Sequence, residues 1–457
     1  MDKILGFLSE YATSLTYDKL PKETVHEAKR RVVDSMGCAM GAYMAEPSKI
    51  ARAHALEVTS NPCATVLGTR HCTTPELATF ANGVMVRYLD YNDRGLAQEA
   101  GHPSDNIPAV LAAAECAGSS GATAITGITL AYELECRFGE AARVWTRGWD
   151  HVTYEAISAA AGAGKALGLT RAQMANAIAI ATTANIGLLK NRLGALSMWK
   201  GCAAGNACGN GVFAARLAKR GLTGPEDAFE GRAGFFEQVT GPLELPDFGG
   251  NGRHFKVEDS SFKFYPADYE AQAAANPAVE IHQLLKGKVD DIERIVVDGY
   301  THGINVAADT PDKWNPQTRE TADHSIPYVV AVALTRGAVE MEDYTEERIR
   351  DPKLHALMKK IEVRRDVEFT SLWPEANPFR IEVTTGSGER YTREVTYAKG
   401  HVKNTLTDKE IEEKFCKLTA PLMKSSQIKD ILRQLWRLEE IDDLRGMMSL
   451  FELKPVS

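Results

Sequence analysis

The stretch Tyr88-Leu-Asp-Tyr-Asn-Asp-Arg-Gly-Leu-Ala-Gln-Glu-Ala-Gly-His-Pro-Ser-Asp-Asn106 decides how this chain is read. It joins two helical runs through a glycine-containing loop. Two acids, Asp90 and Asp93, and one histidine, His102, lie within that loop. Flanking helices can hold such a loop still while it points acid, base and hydrogen-bonding groups into one cleft. Pro103 disfavours a helical backbone at His102. Ser104 reads as an N-cap for the next helix, with Asp105 in its acid-favouring first turn. The bland alternatives are an Asx-type turn for the two acids and a surface loop histidine for His102.

Outward from the loop, the first part of the chain reads as helix after helix. The expected spans are 23–44, 75–87, 106–117, 122–142 and 153–167, each rich in Ala, Leu and other helix formers. Pro47, Pro62, Gly118, Gly148 and Gly168 punctuate them. Dense Ala and Gly at 156–168 and 201–211 predict helices in close approach. Near residue 250 the pattern changes, and Gly249-Gly-Asn-Gly252 reads as a junction. Strands are expected at 292–297, 379–385 and 391–397, the last two joined as a hairpin around Gly386-Ser-Gly388. A helix is expected at 352–360 between them, and helices return at 408–418, 426–438 and 442–451. The fold class is therefore mainly α. A discontinuous all-helical domain is expected over residues 1–262 and 405–457, and a smaller α+β domain over 263–404.

A net charge of -8 argues against a nucleic-acid binder, which needs a basic face for phosphates. It leaves room for an anionic small substrate held by a few buried lysines. The eight cysteines form no C-x-x-C pair and no zinc-spaced cluster, which reads as free thiols in a reducing cytoplasm. The N-terminus lacks the features of a signal peptide, and the charge-free run 172–189 holds too many polar residues for a membrane span.

Further candidates lie along the chain. His151 follows Asp150 at a helix entrance, with Thr153 as a possible cap. Lys200 opens an Ala/Gly helix, where it must snorkel, shift its pKa or meet an anion. Lys263 stands between aromatics in Phe262-Lys-Phe-Tyr-Pro266, with strand-edge solvation as its alternative. His324 and Tyr328, four apart at the start of an apolar helix, are expected on one face. Gly162-Ala-Gly-Lys-Ala-Leu-Gly168 fails both the dinucleotide and the Walker patterns, and no H-E-x-x-H occurs. A metal-dependent hydrolase built on Asp90, Asp93 and His102 is weakly supported by spacing, and a non-catalytic helical binding protein is the remaining alternative.

Six stretches, in order, resemble the MmgE/PrpD family. They are Asn82-Gly-Val-Met-Val-Arg-Tyr-Leu-Asp-Tyr-Asn-Asp93, Gly101-His-Pro-Ser-Asp-Asn106, Trp149-Asp-His-Val-Thr153, Trp199-Lys-Gly-Cys-Ala-Ala-Gly205, Phe262-Lys-Phe-Tyr-Pro266 and Thr318-Arg-Glu-Thr-Ala-Asp-His-Ser-Ile-Pro-Tyr-Val-Val330. The resemblance implies a helical domain closed by both chain ends, an intervening α+β domain, and a homodimer. It implies cofactor-free and metal-free chemistry on a small polycarboxylate: dehydration of 2-methylcitrate first, with cis-aconitate decarboxylation or iminodisuccinate epimerisation as alternatives. The implied catalytic residues are Asp90, His102, His151, Lys200, Lys263 and Tyr328. Substrate carboxylates would fall to Lys200, Lys263 and Arg94. Arg94 departs from the threonine usual after Asp93 in the dehydratase and decarboxylase patterns. A guanidinium there forks onto a carboxylate or points to solvent.

Overall fold

The computed structural model describes residues 1–194 and 196–453. The fold is mainly α, with a small sheet domain. Two compact units divide it. One comprises Met1–Asn191, Gly201–Ser260 and the chain from Thr407 onward; the other comprises Arg192–Lys200 and Ser261–Leu406.

The first unit is built on helices α1 (Lys3–Ser14), α2 (Lys22–Gly41), α3 (Glu46–Leu56), α4 (Pro75–Tyr88), α5 (Ile107–Ala117), α6 (Gly121–Ala141), α7 (Val152–Ala166), α8 (Arg171–Ala184) and α9 (Ala203–Lys219). Small residues set its spacing. A Cβ on Gly83 of α4 would lie 2.9 Å from the Gly205 Cα of α9, and one on Gly211 would lie 2.7 Å from the Ala156 carbonyl oxygen of α7. α6 and α7 meet the same way at Gly127 and Gly162. Backbones approach to van der Waals contact at these positions, which is where the Ala/Gly density of the sequence goes.

The chain's last part packs back onto this unit. In the helix Asp408–Thr419, Phe415 sits on Gly37 of α2. Lys414 reaches Asp34 at 2.7 Å and donates to the Tyr91 carbonyl at 2.7 Å. The expected helix at 442–451 is instead two 3-10 turns, Leu444–Gly446 and Met448–Phe451, with Gly446 at the break. The 249–252 loop, expected as a junction, lies within the first unit. Glu133 of α6 accepts the backbone amides of Gly249 and Lys256, at 2.7 and 2.8 Å, and ties the loop to the helical unit. Cys63 and Cys72, expected as free thiols, form a disulfide across the two-stranded ribbon β1 (Ala64–Thr65) and β2 (Cys72–Thr73). Among the described residues no helix is long and apolar enough to cross a membrane.

The second unit carries helix α10 (Tyr269–Leu285) and strands β3 (Ile292–Gly299), β4 (Ile361–Arg365), β5 (Phe379–Thr385) and β6 (Arg390–Val395), in sheet order β4-β3-β5-β6. β4 runs parallel to β3, and the other pairs are antiparallel. Ile295, Val297, Phe379, Ile381 and Val383 of the sheet form one core with the helix Ile326–Arg336. β4 escaped the sequence reading because its pattern, Ile-Glu-Val-Arg-Arg, is that of a charged and largely exposed strand.

Candidate active site

In the first unit, α4 ends at Tyr88, and the chain turns through Asp90 in the left-handed region, φ 51°. Aspartate tolerates that conformation better than most residues. The turn folds the Asp90 carboxylate back to Arg87, whose Nη1 donates to Oδ1 at 2.7 Å. The other arm of the guanidinium, Nη2, lies 2.9 Å from His102 Nε2, and Nε is 3.6 Å from Asp105. His102 Nδ1 is 2.6 Å from the Asp93 carbonyl oxygen. Arg87 thus joins Asp90, His102 and Asp105 in one buried network.

His151 takes the N-cap position of α7. Its Nδ1 lies 3.0 Å from Asp150, so these sequence neighbours do meet, and its Nε2 lies 3.3 Å from Glu155 one turn on. The rings of His102 and His151 are 5.6 Å apart, edge to face. Two of the expected caps are reassigned. Ser104 lies inside the 3-10 turn Pro103–Asn106, and its hydroxyl accepts from Asn92. Thr153 holds the Gly187 amide. Asp93 is a structural anchor: its carboxylate accepts from Tyr132 at 2.7 Å and from the Ser104 amide at 3.1 Å. Arg94 is 6% exposed, which removes the solvent-pointing alternative.

Behind the histidines lies a layer of buried acid. Burial, reinforced by the Glu155 charge, pushes the Asp105 carboxyl well above the usual carboxylate range, against the pull of Arg87 and His151. Burial, then Glu155 and Asp105, raises Glu135 in the same way. Burial alone would favour a neutral Arg87, but Asp90 and Asp105 outweigh it and hold the guanidinium charged. The raised Glu135 fixes a sign. The folded chain keeps a proton that the unfolded chain releases near pH ~4.3, so this contribution to stability is complete below that pH and is lost as pH rises through the folded value. Glu135→Gln keeps an acceptor for Asn106, which donates to Glu135 at 2.7 Å. Its melting temperature is expected to fall less between pH 5 and 8 than that of the parent. Thermal melts with equal slopes would refute this.

In the second unit, Lys200 ends its segment in a 3-10 turn, Met198–Gly201, ahead of α9 rather than within it. At 4% exposure it does not snorkel. Lys263 is fully buried, not solvated at a strand edge. Its backbone is pinned on both sides, by the Phe262 amide on the Gly400 carbonyl and by Gln272, which accepts from the amides of Phe264 and Tyr265. His324 precedes the N-cap Ser325 and so does not share a helix face with Tyr328. Its Nδ1 is 2.5 Å from Asp323, and its Nε2 is 3.8 Å from Asp268. The Tyr328 hydroxyl donates its one proton to the Asp343 carbonyl. That bond satisfies the buried hydroxyl.

Of the expected residues, Asp90, His102 and His151 share one network in the first unit, while Lys200, Lys263 and Tyr328 belong to the second. Arg87, Asp105, Glu135 and Glu155 were missed. For Arg87, Glu135 and Glu155 the signal was charge stranded in apolar helices, as with Glu155 in Val152–Ala166, whereas Asp105, read only as a first-turn acid, lies in the 3-10 turn Pro103–Asn106.

Comparison with known proteins adds sequence evidence. Residues 7–246 match the model of the MmgE/PrpD N-terminal domain, and residues 265–438 match that of the MmgE/PrpD C-terminal domain. The chain is 29% identical to a 2-methylcitrate dehydratase of Salmonella typhimurium over 458 residues, 93% of each chain. It is 30% identical to a mitochondrial 2-methylcitrate dehydratase of Yarrowia lipolytica, covering 88% of this chain and 80% of that one. It is 26% identical to a human cis-aconitate decarboxylase, covering 95% and 91%.

Proposed function

The chain belongs to the MmgE/PrpD family, and from that premise we propose that it is a hydro-lyase removing water from 2-methylcitrate or a related 2-hydroxy tricarboxylate. The observation that carries the reading is the His102–His151 pair, two buried imidazoles 5.6 Å apart with differently charged neighbours. Dehydration has two demands. A weakly acidic C–H beside a carboxylate must lose its proton, and hydroxide must leave with one. A base and an acid side by side serve both, and histidine suits either role near neutrality.

In this reading Asp90 acts through Arg87 to orient His102. Lys200 and Lys263 neutralise substrate carboxylates and the charge that builds on the carbanion, and Arg94 forks onto a third carboxylate. Tyr328 donates a hydrogen bond or proton to the substrate in exchange for the Asp343 carbonyl it meets here. These cations supply the stabilisation without a metal or organic cofactor. A cytoplasmic homodimer completes the proposal.

The test is direct. Purified, chelator-treated protein is offered 2-methylcitrate, citrate, cis-aconitate and iminodisuccinate, and alkene absorbance is followed in the ultraviolet. Alkene formation from 2-methylcitrate is expected. The human relative's name favours one second reading, decarboxylation of cis-aconitate, which also passes through a carbanion beside a carboxylate. Turnover of cis-aconitate alone would select it.

A further inference from the structure

We propose that Arg87 is a positioning residue that holds His102 uncharged beside a proton-bearing His151, so that the two rings begin the reaction in opposite protonation states. The assignment deepens the dehydratase reading and rests on it for its chemical meaning.

The argument uses partners that act in one direction only. A guanidinium donates and never accepts. With Arg87 Nη2 at 2.9 Å, His102 Nε2 must present its lone pair. A backbone carbonyl accepts and never donates. With the Asp93 oxygen at 2.6 Å, His102 Nδ1 must carry the hydrogen. Both nitrogens are thereby determined, and the ring is neutral in its Nδ1–H form. His151 has the opposite surroundings, with a carboxylate beside each nitrogen, Asp150 at 3.0 Å and Glu155 at 3.3 Å. Among the described residues neither Glu155 oxygen meets an aligned hydrogen-bond donor although both are buried, and a proton on His151 Nε2, 3.3 Å away, sets positive charge beside that carboxyl group. Among the described residues, the charged and titratable groups set against His102 include Arg87, which ties it to Asp90 and Asp105, and the His151 ring. Those set against His151 include Asp150, Glu155 and the His102 ring, with Asp105 and Glu99 in electrostatic reach.

The chemistry follows. His102 Nε2 exchanges the Arg87 donor for the substrate proton, and the guanidinium stays with Asp90 and Asp105. The C–H electron pair becomes the alkene bond, the C–O bond breaks, and hydroxide leaves with the His151 proton as water. One proton lost by His102 to solvent and one regained by His151 reset the site. The neighbouring Arg87 charge speeds that loss, because it disfavours imidazolium at His102.

The test uses the full chain labelled with 15N-histidine, each ring being assigned by its loss in His102→Asn or His151→Asn. The His102 ring is expected to stay neutral and Nδ1-protonated below the ordinary histidine value of about 6.5. The His151 ring is expected to be protonated at pH 7. Arg87→Gln should raise the His102 titration and move the acid limb of kcat/KM upward by about one pH unit. Arg87→Lys should move it part of the way back. An Nε2–H form of His102, or its ordinary titration in the parent protein, would overturn the proposal, and this readout stands even where Arg87→Gln does not fold. Failure to dehydrate any of the acids would defeat the functional reading while leaving the ring assignment standing on its own spectrum.

Discussion

His102→Asn and His151→Asn are each expected to lower kcat/KM for dehydration by about a hundredfold or more, or roughly 2.7 kcal/mol of transition-state stabilisation. The loss should fall mainly on kcat, because the proton transfers occur in the transition state and the substrate's charge is held by other groups. The double variant is the sharper experiment. Two rings serving one elimination act as a unit, so removing the second after the first should cost much less than another hundredfold. Multiplicative losses would mean independent contributions and would dissolve the pair. Asparagine is chosen because it fills part of the imidazole's volume and can still donate to the Asp93 carbonyl or to Asp150. Circular dichroism and melting of the single variants separate lost chemistry from a collapsed site. Near-normal rates in both would remove the histidines from the mechanism.

The sequence made the helices legible because their apolar period is long and repeated. The observed α4, Pro75–Tyr88, differs from its expected span by one residue, and β5 matches its expected span of 379–385. It also made legible which loop matters, since acids and a histidine crowd one turn between two helices. It did not show how that loop is wired. Nothing in the spacing of Arg87, Asp90 and His102 says that one guanidinium touches both of the others. That depends on the left-handed turn at Asp90, a tertiary outcome. Lys200 and Lys263 were noticed as cations among apolar neighbours, and their burial is what that anomaly meant. The partner of the Tyr328 hydroxyl, the carbonyl of Asp343, was not legible because it lies in another turn of chain. The Cys63–Cys72 bridge was missed because a spacing of nine residues signals nothing until a β-ribbon brings the two together.

Gly121→Ala is expected to destabilise the first unit by about 3 kcal/mol or more, the upper end of what overpacking costs. Local propensity gives the opposite sign. Gly121 is the first residue of α6, where alanine should stabilise by up to about 1 kcal/mol. The clash decides. A Cβ at this position would lie 1.7 Å from the Leu438 carbonyl oxygen and 2.7 Å from its carbon, and these are backbone atoms that cannot rotate aside. That carbonyl also accepts from the Ile441 amide, while Ile441 in turn accepts the Gly121 amide at 2.8 Å and Leu444 donates to Ser119. The C-terminal segment is thus laced to the start of α6 through main-chain groups. The methyl would have to lift that segment and leave buried polar groups unmet. Gly148→Ala is the control. Gly148 has φ 86° but nothing within 4 Å of an added Cβ, so its penalty is conformational only, about 1–2 kcal/mol. Melting should therefore rank Gly121→Ala below Gly148→Ala, and limited proteolysis should cut the 438–446 segment faster in the former alone. A Gly121→Ala protein that melts at or above the parent temperature would mean that the C-terminal segment does not sit against α6, and that the helical unit closes without it.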